Sequence, residues 1–310
     1  MIEQPRVGVV APPPLRIRPS TLRDIDRQVE KVLRGLGNPE PPLDLKDVRE
    51  LLRLDLAYYS ASKDGALRES WSKLLIAGRQ VRARPGLLLE VVRKWNLRAL
   101  YLPDRKRILL DEDAPIRKQR WTEAHEVGHS ILDWHQATML GDTEAALTPL
   151  CRARIEAEAN FAAGRLLFLG KRFETELNDS SLNLTTVQSL AKRYGNTITS
   201  TLWRLVEQAS PPACVVGIIS EHPRYSTTVL TAGDVPIKYT FYSASFSNLI
   251  GRVPDAMLWS AIRSYCSYAK RGPLGQGEFP LTSASGLQLD FSFETFHNGH
   301  EALSLGTYLP

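Results

Sequence analysis

The sequence predicts an α+β protein in two parts, on three observations. Apolar residues recur at helical spacing over most of the stretch from Ser20 to Gln208, a short strand pair precedes the longest helices, and β-branched and aromatic residues dominate after Pro211-Pro212. A chain of 310 residues suits about two domains, and cores of that size need no disulfide scaffold.

The elements follow in order. Residues Met1 to about Arg18 are proline-rich and aperiodic, which predicts an extended arm over 1–19. Leu22, Ile25, Val29, Val32 and Leu33 then mark an amphipathic helix that Gly35 and Gly37 stop. A shorter helix is expected over Leu45 to Leu54, and another over the basic stretch Arg79 to Leu97. Leu100-Tyr101-Leu102 and Ile108-Leu109-Leu110 flank the polar turn Pro103-Asp104-Arg105-Lys106, a hairpin signal. Arg117 to Trp134 and Leu150 to Leu169 read as long helices, and Thr185 to Gln208 as a third helical stretch. Strands are expected at Ala213 to Ser220, Lys238 to Ser245 and Leu287 to Phe296.

Composition narrows the function classes. Lys and Arg number 39 against 34 Asp and Glu, a net charge of +5, which permits nucleic-acid contact without arguing for it. The three cysteines, Cys151, Cys214 and Cys266, are odd in number and widely spread, as expected of reduced thiols in the cytoplasm. No apolar run approaches the roughly 18 residues of a membrane span. Glu3 and Pro12-Pro13-Pro14 fall where a signal peptide would carry its apolar core, so export by that route is not expected.

The chemistry concentrates in Arg120-Trp121-Thr122-Glu123-Ala124-His125-Glu126-Val127-Gly128-His129, which holds His-Glu-x-x-His within a helical pattern. Residues four apart share a helix face, so both imidazoles can bind one metal ion. Glu126, about 100° of helix turn from His125, sits beside that ion and is placed to act as a general base on a water. Chance predicts roughly 0.007 such patterns in a chain of this composition.

Three residues compete to be the third ligand. His135 has the metzincin spacing, but Leu132 stands where that pattern uses glycine to turn the chain back, so His135 is expected at a helix end or on the surface. Glu156 and Glu158 lie about 200° apart on the next helix, and only one can face the metal. Ile155, Ala159, Ala162, Ala163 and Leu166 mark a packing face that includes Glu156, whereas Glu158 leans toward Arg154 and Arg165. Asp133 is a candidate to orient a ligand imidazole.

The pattern Arg120-x-x-x-Ala124-His125-Glu126-x-Gly128-His129, followed by Glu156-x-x-Ala159-Asn160-Phe161-Ala162-Ala163-x-x-Leu166-Leu167, resembles the ImmA/IrrE family of zinc metallo-endopeptidases. The hairpin ending Ile108-Leu109-Leu110-Asp111 and the segment Ile25 to Leu54 add to the resemblance, which covers roughly residues 20–208. It implies a zincin-like protease domain at 20–180 and a helix-turn-helix-like segment at 181–210, while the residue pattern after Pro211-Pro212 predicts a strand-rich C-terminal domain at 211–310, expected to be sensory. It also implies one zinc per chain, replaceable by manganese in vitro, held by His125, His129 and Glu156. Glu126 is then the catalytic residue of an endopeptidase. The implied substrate is a helix-turn-helix transcriptional repressor, cut to release a stress-response or mobile-element regulon. Direct DNA contact is not favoured, because Ile198 to Gln208 offers only Arg204 as a basic residue. The competing reading is a signal-sensing or DNA-binding regulator whose zinc site is structural or vestigial.

Overall fold

The computed structural model describes residues 17–59, 99–103, 106–135, 149–226 and 235–309. The arm up to residue 16, the helix expected over Arg79 to Leu97 and the tip of the expected hairpin turn lie outside them. The class is α+β, with two sheets, and the chain divides into two compact units. One comprises Met1–Glu40 and Asp44–Leu167; the other comprises Pro41–Leu43 and Phe168–Pro310. Helices between Lys171 and Gln208 therefore share a unit with the C-terminal strands. No helix among the described residues is long and apolar enough to cross a membrane.

The first unit begins with α1 (Pro19–Gly35), which opens on the proline that suits a first helical position and buries Ile25, Val29, Val32 and Leu33. Helix α2 (Leu45–Leu52) is capped by Asp44, whose carboxylate accepts the Lys46 N–H. It ends two residues before the expected Leu54, because Arg53 turns left-handed (φ 55°) and the chain enters β1 (Asp55–Tyr59). Strands β2 (Ala99–Leu102) and β3 (Arg107–Asp111) form the expected antiparallel pair, and β1 adds in parallel to β3, giving the order β1-β3-β2.

Helix α3 (Ile116–Ile131) packs on β2 and β3, and α4 (Pro149–Leu167) packs on α3. The two helices touch at Gly128. A Cβ there would lie 2.8 Å from the Ala159 carbonyl oxygen and 3.3 Å from the Ala162 methyl group. Ala159, Ala162 and Ala163 are fully buried, so small residues on α4 meet a glycine on α3 and the backbones come close together. The Arg165–Asp26 ion pair (2.6 Å) joins α4 to α1, and Arg49–Glu123 (2.7 Å) joins α2 to α3.

In the second unit α5 (Lys171–Asn178) is followed by α6 (Leu184–Tyr194) and α7 (Ile198–Gln208). The helical stretch expected over Thr185 to Gln208 is thus two helices, parted at Gly195, whose φ of +67° closes α6. Strands β4 (Val215–Ser220), β5 (Ile237–Tyr242), β6 (Gly272–Thr282), β7 (Gln288–His297) and β8 (Ala302–Tyr308) form an antiparallel sheet in the order β5-β4-β8-β7-β6. Helices α8 (Ala244–Leu249) and α9 (Asp255–Tyr265), not expected from the strand-rich pattern, bury Phe246, Leu258 and Ile262 against Val216, Ile218, Phe291 and Phe293. Helix α7 also packs on the sheet, where Trp203 stacks on Phe241 with ring centroids 4.3 Å apart. Strand β4 is consequently buried along its whole length.

The close approach at Gly128 yields a stability expectation. Gly128→Val should force α3 and α4 apart and cost about 1–3 kcal/mol, lowering the melting temperature by several degrees in a thermal scan followed by circular dichroism. An unchanged melting curve would contradict the contact.

Candidate metal centre

Helical spacing puts His125 and His129 on one face of α3, and the contact at Gly128 brings α4 against that same stretch of helix. Glu156 projects from α4 toward both imidazoles. Its Oε2 lies 3.0 Å from His125 Nε2, and its Oε1 lies 3.7 Å from His129 Nε2. The two Nε2 atoms are 3.2 Å apart. One ligand atom from each of the three residues falls within 4.8 Å of the others. The histidines are largely shielded while the Glu156 side chain is 58% exposed, so the cluster opens to solvent on the glutamate side.

Hydrogen bonds on the far side of each ring decide which nitrogen is bare. His125 Nδ1 faces the Asn160 Oδ1 at 3.0 Å, so with the amide oxygen accepting, the proton sits on Nδ1. His129 Nδ1 meets His135 Nδ1 at 3.0 Å. His135 Nε2 lies 3.1 Å from Glu158 Oε2, an acceptor that fixes the His135 proton on Nε2 and leaves its Nδ1 to accept from His129. Both ligand-candidate imidazoles then present bare Nε2 atoms to each other and to a carboxylate. Lone pairs facing one another at that distance repel unless a cation lies among them. Zinc bonds of roughly 2.0–2.1 Å would place tetrahedral ligand atoms about 3.3 Å apart, close to the separations found. The donor set fits a divalent cation, with zinc the match for two imidazoles and a carboxylate.

The groups of the cluster also shift one another's pKa values. Burial, together with the nearby His125, pushes His129 down to about 3, so it is neutral at physiological pH. Burial alone would raise Glu156, but the contact with His125 and the imidazoles around it hold it below the ordinary carboxylate range. Burial also depresses His125, and the carboxylates of Glu156 and Glu126 outweigh it and raise its pKa. Glu126, adjacent in sequence and nearly inaccessible, is pushed up to about 7 by burial and by the charge of Glu156, against the pull of His125 and of the Tyr101 backbone N–H.

The other expected residues fall as follows. His135 lies just past the end of α3, the helix-end position expected of it, but it is fully buried and not at the surface. Helix α3 breaks at Leu132 in an extended conformation (φ −103°, ψ 94°), which a leucine adopts without strain, and the His135 N–H then donates to the Leu132 carbonyl. The chain therefore turns back without glycine and brings His135 to the far side of His129, not to the donor cluster. Glu158 is buried and accepts from Trp134, Arg154 and His135, while Arg165 pairs with Asp26 instead. Asp133 is exposed. Asn160 went unassigned in the sequence, although its position four residues after Glu156 puts it on the same helix face. Cys214 and Cys266 are buried thiols and Cys151 is partly buried, with no two of the three bonded.

Residues 85–205 match the family model described as the IrrE N-terminal-like domain, a peptidase family. This segment carries an IrrE-like domain. The resemblance read from His125, Glu126, His129 and Glu156 lies within it. No curated protein matches the chain. Among solved structures, a Mycobacterium tuberculosis protein described as a transcriptional regulator matches at 14% identity with a TM-score of 0.52. That match covers 92% of this chain and 88% of the other, and at this identity it speaks to the fold alone.

The IrrE-like segment makes a measurable forecast. Zinc at about a hundred times its dissociation constant should stabilise the chain by about 2.7 kcal/mol, a rise of several degrees in melting temperature. Glu156→Ala and His129→Ala should abolish that rise. A shift that survives both substitutions would place the ion elsewhere.

Proposed function

We propose that the chain is a zinc-dependent endopeptidase that makes a site-specific cut in a helix-turn-helix transcriptional repressor, releasing a stress-response or mobile-element regulon. The observation that carries this reading is the convergence of His125, His129 and Glu156, with the buried Glu126 carboxyl beside them. Three protein donors leave a position free for substrate or water, whereas a purely structural zinc site is normally closed by a fourth protein ligand. The match of residues 85–205 to a peptidase family supports the same reading.

In this proposal His125, His129 and Glu156 hold the ion, zinc in the first instance and manganese as an in vitro substitute. Bound there, the metal would supply a Lewis acid that polarises a peptide carbonyl and lowers the pKa of water. Glu126 takes the proton of the attacking water and delivers it to the departing amide nitrogen, acting first as base and then as acid. Asn160 keeps the His125 ring oriented, and the Tyr101 backbone N–H steadies the Glu126 carboxylate between proton transfers.

Within the proposal, residues 20–180 form a zincin-like protease domain, 181–210 a helix-turn-helix-like segment, and 211–310 a sensory domain, in a chain that acts in the cytoplasm. Helix α7 is a poor DNA reader: Arg204, its sole basic residue, is buried, pairs with Glu207 and lies over the Phe168 ring. The segment is better suited to packing or to docking a substrate. A second reading, a regulator whose metal site is structural or vestigial, draws on the solved relative described as a transcriptional regulator.

The experiment is to incubate the zinc-loaded protein with helix-turn-helix repressors encoded beside it and to map products by mass spectrometry. The expected result is one cut in one repressor, with little action on casein. Glu126→Gln should keep the metal and lower the rate by at least the ~10²–10⁴-fold typical of a lost general base. An active Glu126→Gln variant would remove Glu126 from the mechanism. Intact repressors under zinc-replete conditions would favour the regulator.

A further inference from the structure

Behind the donor cluster lies a second pair of polar side chains, both buried, that metal binding as such does not require. Glu158 is 1% exposed and His135 is 0% exposed. The Glu158 carboxylate is held by three donors: Trp134 Nε1 at 2.7 Å, Arg154 Nε at 2.8 Å and His135 Nε2 at 3.1 Å. His135 in turn meets His129, nitrogen to nitrogen, at 3.0 Å. Burying a carboxylate and an imidazole with no role to fill would be costly, and an apolar pair of similar volume would pack as well.

We infer that Glu158 and His135 form a positioning relay that fixes the proton of His129 on Nδ1 and so holds its Nε2 bare and aimed at the metal position. An ionised carboxylate only accepts hydrogen bonds, so Glu158 sets the His135 proton on Nε2. A neutral His135 then has only a lone pair left on Nδ1, and His129 can meet it only by donating from its own Nδ1. The His129 Nε2 is thereby committed as a ligand atom. Asn160 does the same for His125 through a single contact; for His129 the acceptor is one residue further removed, and the terminal charge is anchored by Trp134 and Arg154. Groups that orient ligand imidazoles in this way typically contribute ~10–100-fold to metal affinity.

The relay rests on the reading of His125, His129 and Glu156 as a metal site, and two measurements on the full chain separate it from that reading. Nitrogen-15 NMR of the histidine rings, recorded on the metal-free protein with no substitution, should show His129 as the Nδ1–H form and His135 as the Nε2–H form. The Nε2–H form at His129 would overturn the relay even if zinc still binds. Zinc competition with a chromophoric chelator should then show affinity falling ~10–100-fold in His135→Leu and recovering largely in His135→Asn, whose amide oxygen can accept from His129 Nδ1. Equal affinity in His135→Leu and the unsubstituted chain would reject the relay while leaving the metal site in place. Loss in both variants, with folding intact by circular dichroism, would also reject it. A chain that binds no zinc would sink the metal reading, and the tautomer spectrum would still decide the relay.

Discussion

Everything in the first unit depends on how closely α4 can approach α3, and that distance is set where Gly128 meets the Ala159 carbonyl. The glycine lies between the two histidines of the motif, one residue before the second. A side chain there would hold the helices apart at the level where Glu156 reaches across. The His-Glu-x-x-His spacing supplies two candidate ligand atoms from one helix face, but the third candidate sits on another helix and needs a backbone contact to arrive. Gly128 on one side and Ala159, Ala162 and Ala163 on the other create that contact, at the cost of a glycine in a helix interior, roughly 1 kcal/mol relative to alanine.

The same region concentrates buried charge in a way that a purely structural core would avoid. Glu126, His129, His135 and Glu158 are all buried within two neighbouring helices and the turn that follows the first. Each environment pushes its group in a distinct direction: Glu126 upward to about 7, His129 downward to about 3, Glu158 below the ordinary carboxylate range. Desolvation alone would raise both carboxylates. The two differ because Glu158 has three side-chain donors, while Glu126 has the Tyr101 backbone N–H and the neighbouring His125 against the charge of Glu156. A pair of glutamates thirty-two positions apart is thereby kept in different protonation regimes by their hydrogen bonds.

Much of the donor cluster was legible in the sequence because helical periodicity is a rigid ruler. Four-residue spacing put His125 and His129 together, and the face argument singled out Glu156, although its side chain stays 58% exposed while Glu158, expected to lean toward Arg154 and Arg165, is the buried carboxylate of α4. What periodicity could not show lay where the helix stops. Leu132 ends α3 in an extended conformation available to any residue, so no glycine announced the turn that buries His135. The C-terminal sheet was legible where strands carry runs of β-branched and aromatic residues, as in β4 and β7. Strand β6 was not among the strands expected, since Gly272, Pro273, Gly275, Gly277 and Pro280 carry no strand signal. It can be a strand because it lies at the end of the sheet, where the N–H that proline lacks is not needed by a second neighbour.

That composition has a consequence for solubility. A strand at the end of a sheet is a template on which another chain can add, the usual seed of edge-to-edge aggregation. Pro273 and Pro280 delete two of the N–H groups such an intruder would need, and the register shift between Pro273 and Gly275 interrupts the regular ladder near the start of the strand. Its ten-residue register with β7 can thus be kept without exposing a long, regular row of donors. Residues that erase the strand from a sequence reading are the ones that protect the folded sheet from its own copies.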